Sequence, residues 1–455
     1  MKDVIAIVDV GKTNKKLLLF DEQYKLVLER QARFNEITDE DGFPCENLES
    51  LRFSVVDTLN EVAGEGNYRI RAINFSAYGA SFVLTDENGE PVAPLYNYLK
   101  PYDDKLLAQF YTTYGGENKF SQETASPVLG NLNSGMQLYS IKYEKPELFQ
   151  QIKFAFHLPQ YLAFLVSQKM YADLTSVGCH TNLWHFARKD YHEWVSREGI
   201  LEKMLPLVTA DKTDSAKLLD QSIQVGTGLH DSSAALIPYL VNFKEPFVLI
   251  STGTWCISLN PFNHSPLTEE ELRNDCLCYL QYNGNPVKAA RLFAGHEHDV
   301  QVMRIAEHFN MDASFYRSVA YNVELNASLQ KNERGELSLQ QSAFAHRELA
   351  SFASGEEAYH QLMIDIVAQQ CFSTSFIMEG NRTKRIFVDG GFSRNEIYMN
   401  LLAASFPEVE VYATSMAQAS ALGAALAIHD SWNKKAIPAD VIELKYYTSA
   451  HSISI

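Results

Sequence analysis

The chain has 455 residues, of which 46% are apolar and 21% charged, and carries a formal net charge of −17. That length exceeds one core and predicts about two to three domains, while the composition excludes a disordered or collagen-like chain. The acidic balance argues against a nucleic-acid partner and gives no reason to expect an anionic membrane surface as one. A phosphorylated ligand would therefore need a locally positive site.

The six cysteines are widely scattered, and a chain of this size does not need staples, so reduced thiols in a cytoplasm are the simpler reading. Cys276 and Cys278 alternate on one face of a predicted strand, without the second nearby pair that a zinc site requires. The first apolar run is broken at Asp9 and lacks a small-residue cleavage site, so no signal peptide is expected. No apolar stretch is long enough to cross a bilayer.

Taken in order, the chain opens with two apolar, β-branched or leucine-rich runs at 4–8 and 17–20, joined through Gly11, Lys12, Thr13 and Asn14. This predicts an N-terminal β-hairpin. Asp9 closes its first strand, and Gly11 lets backbone N–H groups approach an anion, with Lys12, Thr13 and Lys16 adding cations and a hydroxyl. An ordinary surface turn uses the same residue types. A third strand is expected within 23–33, a helix over 47–62 and a strand at 71–75 that ends in the small residues Ser76 to Ala80. Residues 82–84, the turn Asp86 to Gly89, and 93–98 then predict a second hairpin. The small-residue break is either a bulge or a place where a ligand meets backbone. Gln137 falls in the next predicted helix, at 131–142, and reads equally as a surface residue.

Further on, Val225-Gly-Thr-Gly-Leu-His-Asp231 delivers a carboxylate to the start of an alanine-containing helix, where the helix dipole favours its ionised form. Asp is also a common N-cap, so the motif alone leaves both roles open. From Pro246 the opening plan repeats: a buried strand at 247–250, a turn through Ser251, Thr252, Gly253 and Thr254, and a second strand at 255–259. Such a repeat is the trace of a duplicated fold, and the domain boundary is placed at 245. Gly295-His-Glu-His298-Asp299 is expected to be a solvated turn rather than a metal site. A long helix is predicted over 356–379, then a strand at 385–388, the turn Asp389-Gly390-Gly391, and helices over 395–406 and 417–428.

Asp9, Gly11, Thr13 and Lys16 on the first hairpin resemble the first phosphate motif of the actin-like ATPase superfamily, and specifically of FGGY carbohydrate kinases. Lys12 stands where that family usually has Thr. The segment from Phe75 to Asp104 resembles the family's sugar-contacting block, nearest in look to the rhamnulokinase and fuculokinase branch, although Ser81 stands where rhamnulokinases commonly carry an acid. His230-Asp231 matches the family's base motif, Gly253-Thr254 its second phosphate loop, and Gly390, Gly391 and Asn395 its adenosine motif. Asp365-Ile366 replaces the Glu-Gly usual within the long helix.

The resemblance implies an α/β fold of two actin-like, ribonuclease H-like lobes with mixed sheets around a cleft. A sugar lobe spans 1–245 and a nucleotide lobe 246–455. It implies ATP-dependent phosphorylation of a ketose such as L-rhamnulose or L-fuculose, with xylulose, ribulose and glycerol as alternatives. Asp231 is the implied general base and Asp9 the Mg²⁺ residue. Gly11, Lys12, Thr13, Asn14, Lys16, Gly253, Thr254, Gly390, Gly391 and Asn395 are assigned to ATP. Tyr78, Gly79, Asn97, Tyr98, Gln137 and His230, with Asp231, are assigned to the sugar. The expected partners are the small sugar and ATP, with no nucleic acid or membrane, and a homodimer is allowed. A noncatalytic actin-like sugar sensor and another actin-like kinase are the competing classes.

Overall fold

The computed structural model describes residues 1–12, 14–330, 338–378, 382–416 and 418–448. Thr13, one of the expected phosphate-loop residues, lies outside them. Lys2–Val10 (β1) and Lys15–Asp21 (β2) pair antiparallel with Val10 opposite Lys15, so the N-terminal hairpin forms. Leu26–Ala32 (β3) continues the meander. Helix Leu48–Gly64 (α1) then crosses over to Tyr68–Ala77 (β4), which runs parallel to β1, as a parallel pair requires. Asn47 starts that helix by accepting the Ser50 N–H, an N-cap of the usual residue type.

Thr213–Leu218 (β5) and Gln221–Gly226 (β6) complete the first sheet in the order β5-β6-β4-β1-β2-β3, and Leu229–His230 (β7) lies along β4. Asp231–Asn242 (α2) follows directly. The second half repeats the plan. Phe247–Thr252 (β8), Cys256–Asn260 (β9), Cys276–Leu280 (β10) and Pro286–Leu292 (β11) are joined by Arg385–Gly390 (β12), Glu410–Ser415 (β13) and Glu443–Tyr447 (β14). Their order is β10-β11-β9-β8-β12-β13-β14, with β8 parallel to β12 just as β1 is to β4. Ala294–His308 (α3), Gly355–Met378 (α4) and Glu396–Ser405 (α5) flank this sheet. The molecule is thus a mixed α/β protein of two duplicated lobes.

Helix Ala419–Ala427 (α6), near the end of the chain, returns to the first lobe. Its Ala421, Leu422, Ala424 and Ala425 share a core with Ile5, Ile7, Leu18, Ala72 and Ile237. Small residues permit the close approach: a side chain on Gly423 would collide with the Ala234 carbonyl of α2. Asn74 ties the arrangement together, donating from Nδ2 to the Ala424 carbonyl at 2.8 Å and accepting the Gly228 N–H at 3.1 Å.

Two local expectations are corrected. Residues 93–98 form no strand; Phe82–Thr85 pairs instead with Phe154–His157, and beyond the turn only single bridges remain, Thr85 to Pro91 and Glu46 to Leu95. Pro91 and Pro94 lack the N–H that a continuous ladder needs. The stretch 295–299 is not a solvated turn but the first turns of α3, with His298 buried and bonded to the Tyr359 hydroxyl at 3.1 Å. Among the described residues no group of His, Cys, Asp and Glu side chains has a metal-holding arrangement.

Candidate active site

The site is assembled where β1, β4 and β7 end beside the start of α2. Asp9 and Ser76 are register partners on β1 and β4, and Leu229–His230 lies alongside Ser76 and Ala77. Asp231 is the first residue of α2, with His230 in the capping position. Its side chain keeps about a third of its surface exposed (34%). The Ser232 N–H donates to Oδ1 at 2.6 Å. Burial nonetheless outweighs that bond and raises the Asp231 carboxyl to about 6. Asp9 is also raised to about 6, first by burial and then by the neighbouring Asp231 charge, while a bond from Ser420 acts in the opposite sense. The Asp9 carboxylate offers oxygens of the hard type that a small divalent cation takes.

His230 Nε2 lies 3.3 Å from Asp231 Oδ1, and the His230 backbone N–H donates to Thr175 Oγ1 at 3.0 Å. Burial lowers the imidazole to about 4, so the ring is neutral near pH 7. The neutral ring stands beside the carboxylate at that distance. The glycines before it serve this approach. Gly228 has φ +78° and faces the Pro159 carbonyl where a Cβ would collide. A Cβ on Gly79 would come within 3.1 Å of the His230 ring and 3.2 Å of Cys179 Sγ.

Tyr78 and Tyr98 stand together with ring centroids 6.0 Å apart. Tyr98 is raised by burial and then by the Asp231 charge. Asn97 and Gln137 are engaged otherwise. Asn97 donates to the Pro44 carbonyl at 3.0 Å and accepts the Leu99 N–H. The Gln137 amide donates to the carbonyls of Ala80 and Asn131 at 2.6 and 2.7 Å. Gln137 thus holds the loop beside Tyr78 and Gly79, and Asn97 the loop that carries Tyr98.

On the first hairpin, the Gly11 N–H is taken by the Asn14 carbonyl at 2.9 Å, and Asn14 Oδ1 accepts from Gln31 and Arg33. Lys16 pairs with Glu29 at 2.9 Å and donates to Gln418 Oε1 at 3.2 Å. Lys12 pairs with Glu36 at 3.3 Å.

The loops of the second lobe are knitted to each other. The Thr252 carbonyl accepts the Gly391 N–H at 2.9 Å, and Thr252 Oγ1 accepts the Phe392 N–H at 2.9 Å. Gly390 has φ +88°, and a Cβ there would strike the Thr252 carbonyl. Asn395 caps α5, accepting from Ile397 and Tyr398, and donates to the Tyr359 hydroxyl at 2.7 Å. Gly253, Thr254, Gly391 and Asn395 line a pocket of about 930 Å³, together with Tyr316 and Arg317. An adjoining cavity of about 690 Å³ holds Asp231, Gly390 and Ser420. Arg394 lines both.

Sequence reasoning missed Arg394, His180, Tyr279 and the exposed Trp255. The rings of His180 and Tyr279 lie 6.3 and 5.5 Å from that of His230. Trp255 is 42% exposed and packs 4.4 Å from Phe293, directly after the Gly253-Thr254 loop. Tyr279 belongs to the second sheet, so only tertiary structure brings it near a first-lobe motif.

Comparison with known proteins agrees with the two-lobed fold. Residues 4–237 match the family model for the FGGY family of carbohydrate kinases, N-terminal domain, and residues 244–436 match that for Carbohydrate kinase FGGY, C-terminal domain. A rhamnulokinase of Mannheimia succiniciproducens is 26% identical over 273 residues, covering 55% of this chain and 54% of the relative. One from Halalkalibacterium halodurans is 22% identical over 259 residues, with the same shares. The chain thus spans about half the length of the curated relatives it matches. Among solved structures, a carbohydrate kinase from Novosphingobium aromaticivorans superposes with a TM-score of 0.79 at 21% identity, over 98% of this chain and 94% of that one. A ligand-bound xylulose kinase from Lactobacillus acidophilus gives 0.79 at 16%, over the same shares. At these identities the structural likeness speaks for the fold.

Proposed function

Because the chain belongs to the FGGY family of carbohydrate kinases, we propose that it transfers the γ-phosphoryl group of ATP to a hydroxyl of a five- or six-carbon ketose. The observation that carries the proposal is Asp231, a carboxylate at a helix start that faces the cleft and is raised to about 6. A sugar alcohol is far too weak an acid to ionise near neutrality, so attack on phosphorus needs a base within hydrogen-bond reach. A base poised just below the working pH suits that task.

Each remaining role is assigned to this chain's own groups. His230 orients Asp231 through the 3.3 Å contact. Tyr78, Gly79 and Tyr98 form the wall against which the sugar lies, with Asn97 and Gln137 holding that wall in place. Gly253, Thr254, Gly391 and Asn395 line the pocket assigned to the nucleotide, where glycines let a ring and phosphates approach backbone. Gly11, Asn14 and Lys16 form the opposing loop, where Lys16 exchanges Glu29 for phosphate oxygens. Asp9 is assigned to Mg²⁺, which when bound neutralises charge on the phosphate oxygens. The division at residue 245 belongs to the same proposal, as does a cytoplasmic location, with which the six free cysteines are consistent.

L-Rhamnulose and L-fuculose stand ahead of xylulose, ribulose and glycerol, because the curated relatives named above are rhamnulokinases. A coupled ADP-release assay across these five acceptors tests the proposal. Turnover with a ketose supports it, turnover with glycerol alone contradicts the substrate class, and no sugar-dependent ADP release contradicts the activity.

A further inference from the structure

Lys12 stands where the resemblance has threonine, and it lines neither of the two cavities described above. Nζ sits 6.0 Å from the ring centroid of Tyr78 and 5.9 Å from that of Tyr98, and pairs with Glu36 at 3.3 Å. An ammonium over two aromatic faces is held by their quadrupoles. Its own carbonyl accepts from Lys15 Nζ at 3.1 Å, and Lys15 is locked by a buried pair with Glu46 at 2.7 Å, so the backbone under Lys12 is anchored. The side chain retains 28% exposure and Glu36 retains 49%. An exposed pair of this kind holds itself together weakly, so its polar atoms are free to exchange partners with a ligand.

Position gives the cluster its meaning. Tyr98 is the ring whose hydroxyl feels the Asp231 charge, so one ring connects the proposed base to the ammonium. Beyond that ring stand a three-proton donor, Lys12, and a two-oxygen acceptor, Glu36, next to a flat aromatic wall. A polyhydroxylated carbon chain presents C–H faces to aromatic rings and hydroxyls that both donate and accept. The pair is charge-balanced, which matches a neutral polyol better than an anion.

The geometry points to Lys12, together with Glu36, as the specificity-determining pair that binds hydroxyls at the end of the sugar remote from the transferred phosphoryl group. This rests on the kinase function proposed above and changes the role expected for Lys12 from phosphate to sugar.

The test compares wild-type protein with Lys12→Met, Lys12→Arg and Glu36→Gln, using a six-carbon ketose and a three-carbon acceptor, glycerol, too short to reach the pair. Lys12→Met should raise KM for the hexulose by about 10- to 100-fold with kcat within about threefold, as loss of uniform binding does. KM for glycerol and for ATP should stay within about twofold, and Lys12→Arg should recover part of the hexulose effect. Glu36→Gln should move hexulose KM in the same direction. A rise in KM for ATP instead would assign Lys12 to phosphate, equal losses on both acceptors would make it merely structural, and no change would make it a surface pair; each overturns the proposal. Sugar-induced shifts in melting temperature, measured without ATP, decide the matter independently of turnover: wild-type protein stabilised by the hexulose and Lys12→Met not stabilised supports the assignment, and equal stabilisation overturns it. Absence of ADP release from wild-type protein with every acceptor would contradict the kinase function itself.

Discussion

Ser420 donates to Asp9 Oδ2 at 3.0 Å, joining residues 411 positions apart near the end of the first strand and at the start of α6. The bond favours the ionised form of Asp9 against burial and the Asp231 charge. Ser420→Ala should therefore raise the Asp9 pKa further and weaken its hold on Mg²⁺. We expect the Mg²⁺ concentration for half-maximal activity to rise about 3- to 10-fold, consistent with the loss of one hydrogen bond to a charged group. An unchanged Mg²⁺ titration would separate Ser420 from metal binding.

Asp9→Ala should lower turnover by two or more orders of magnitude and resist rescue by excess Mg²⁺, while circular dichroism stays that of the native fold. Full activity at limiting Mg²⁺ would remove Asp9 from the metal assignment.

The raised carboxylates carry a stability consequence with a definite sign. Asp9 and Asp231 are raised to about 6 and Asp173 to about 7, each first by burial. Their native state prefers the proton, so their contribution to stability is complete below about pH 4 and is lost as pH rises through 6 to 7. Asp231→Asn should raise the melting temperature relative to wild type at pH 8 and lose that advantage at pH 4. The gain should be on the order of 1 kcal/mol, since the third of the side chain that faces solvent screens the penalty. A larger gain at pH 4 than at pH 8 would reverse the sign assigned here.

Gly423 faces the Ala234 carbonyl without room for a Cβ. Gly423→Ala must push α6 from α2 and should cost roughly 1–3 kcal/mol, as overpacking does. A chain cut at 245 should be less stable still, because Ile5, Ile7 and Leu18 lose the cover of α6. Urea unfolding of both variants checks this, and a 1–245 fragment that unfolds cooperatively with native-like stability would contradict the packing argument.

Local chemistry made much of this legible. The β-branched run of β1, the Gly11 turn and the second strand–turn–strand at 247–259 state their conformation in sequence, and the repeat states the duplication. Gly228 and Gly390 were readable as glycines but not as close approaches to Pro159 and Thr252, since those contacts are made between separate segments. The hairpin expected at 82–98 failed because Pro94 outweighed apolar alternation, while Phe154–His157, far along the chain, supplied the partner for Phe82–Thr85. Likewise Gln137 and Asn97 carry side-chain amides that suit a sugar, but their hydrogen bonds to backbone carbonyls are visible only in the folded chain. Tyr279 had no signal in the motifs, because tertiary packing alone brings it to the site, whereas Arg394 lies beside Asn395 within the 389–395 stretch, which gave no sign that it lines both cavities.

The measurement that bears most directly on the central claim is kcat for Asp231→Asn, taken alongside sugar affinity and melting temperature. Asn retains the size of Asp and an oxygen that can accept the Ser232 N–H, but it cannot accept the alcohol proton. We expect kcat to fall by about 10²- to 10⁴-fold, with the folded protein still binding sugar at close to wild-type affinity. A stable, sugar-binding Asp231→Asn protein with normal turnover would contradict the assignment of Asp231 as the base.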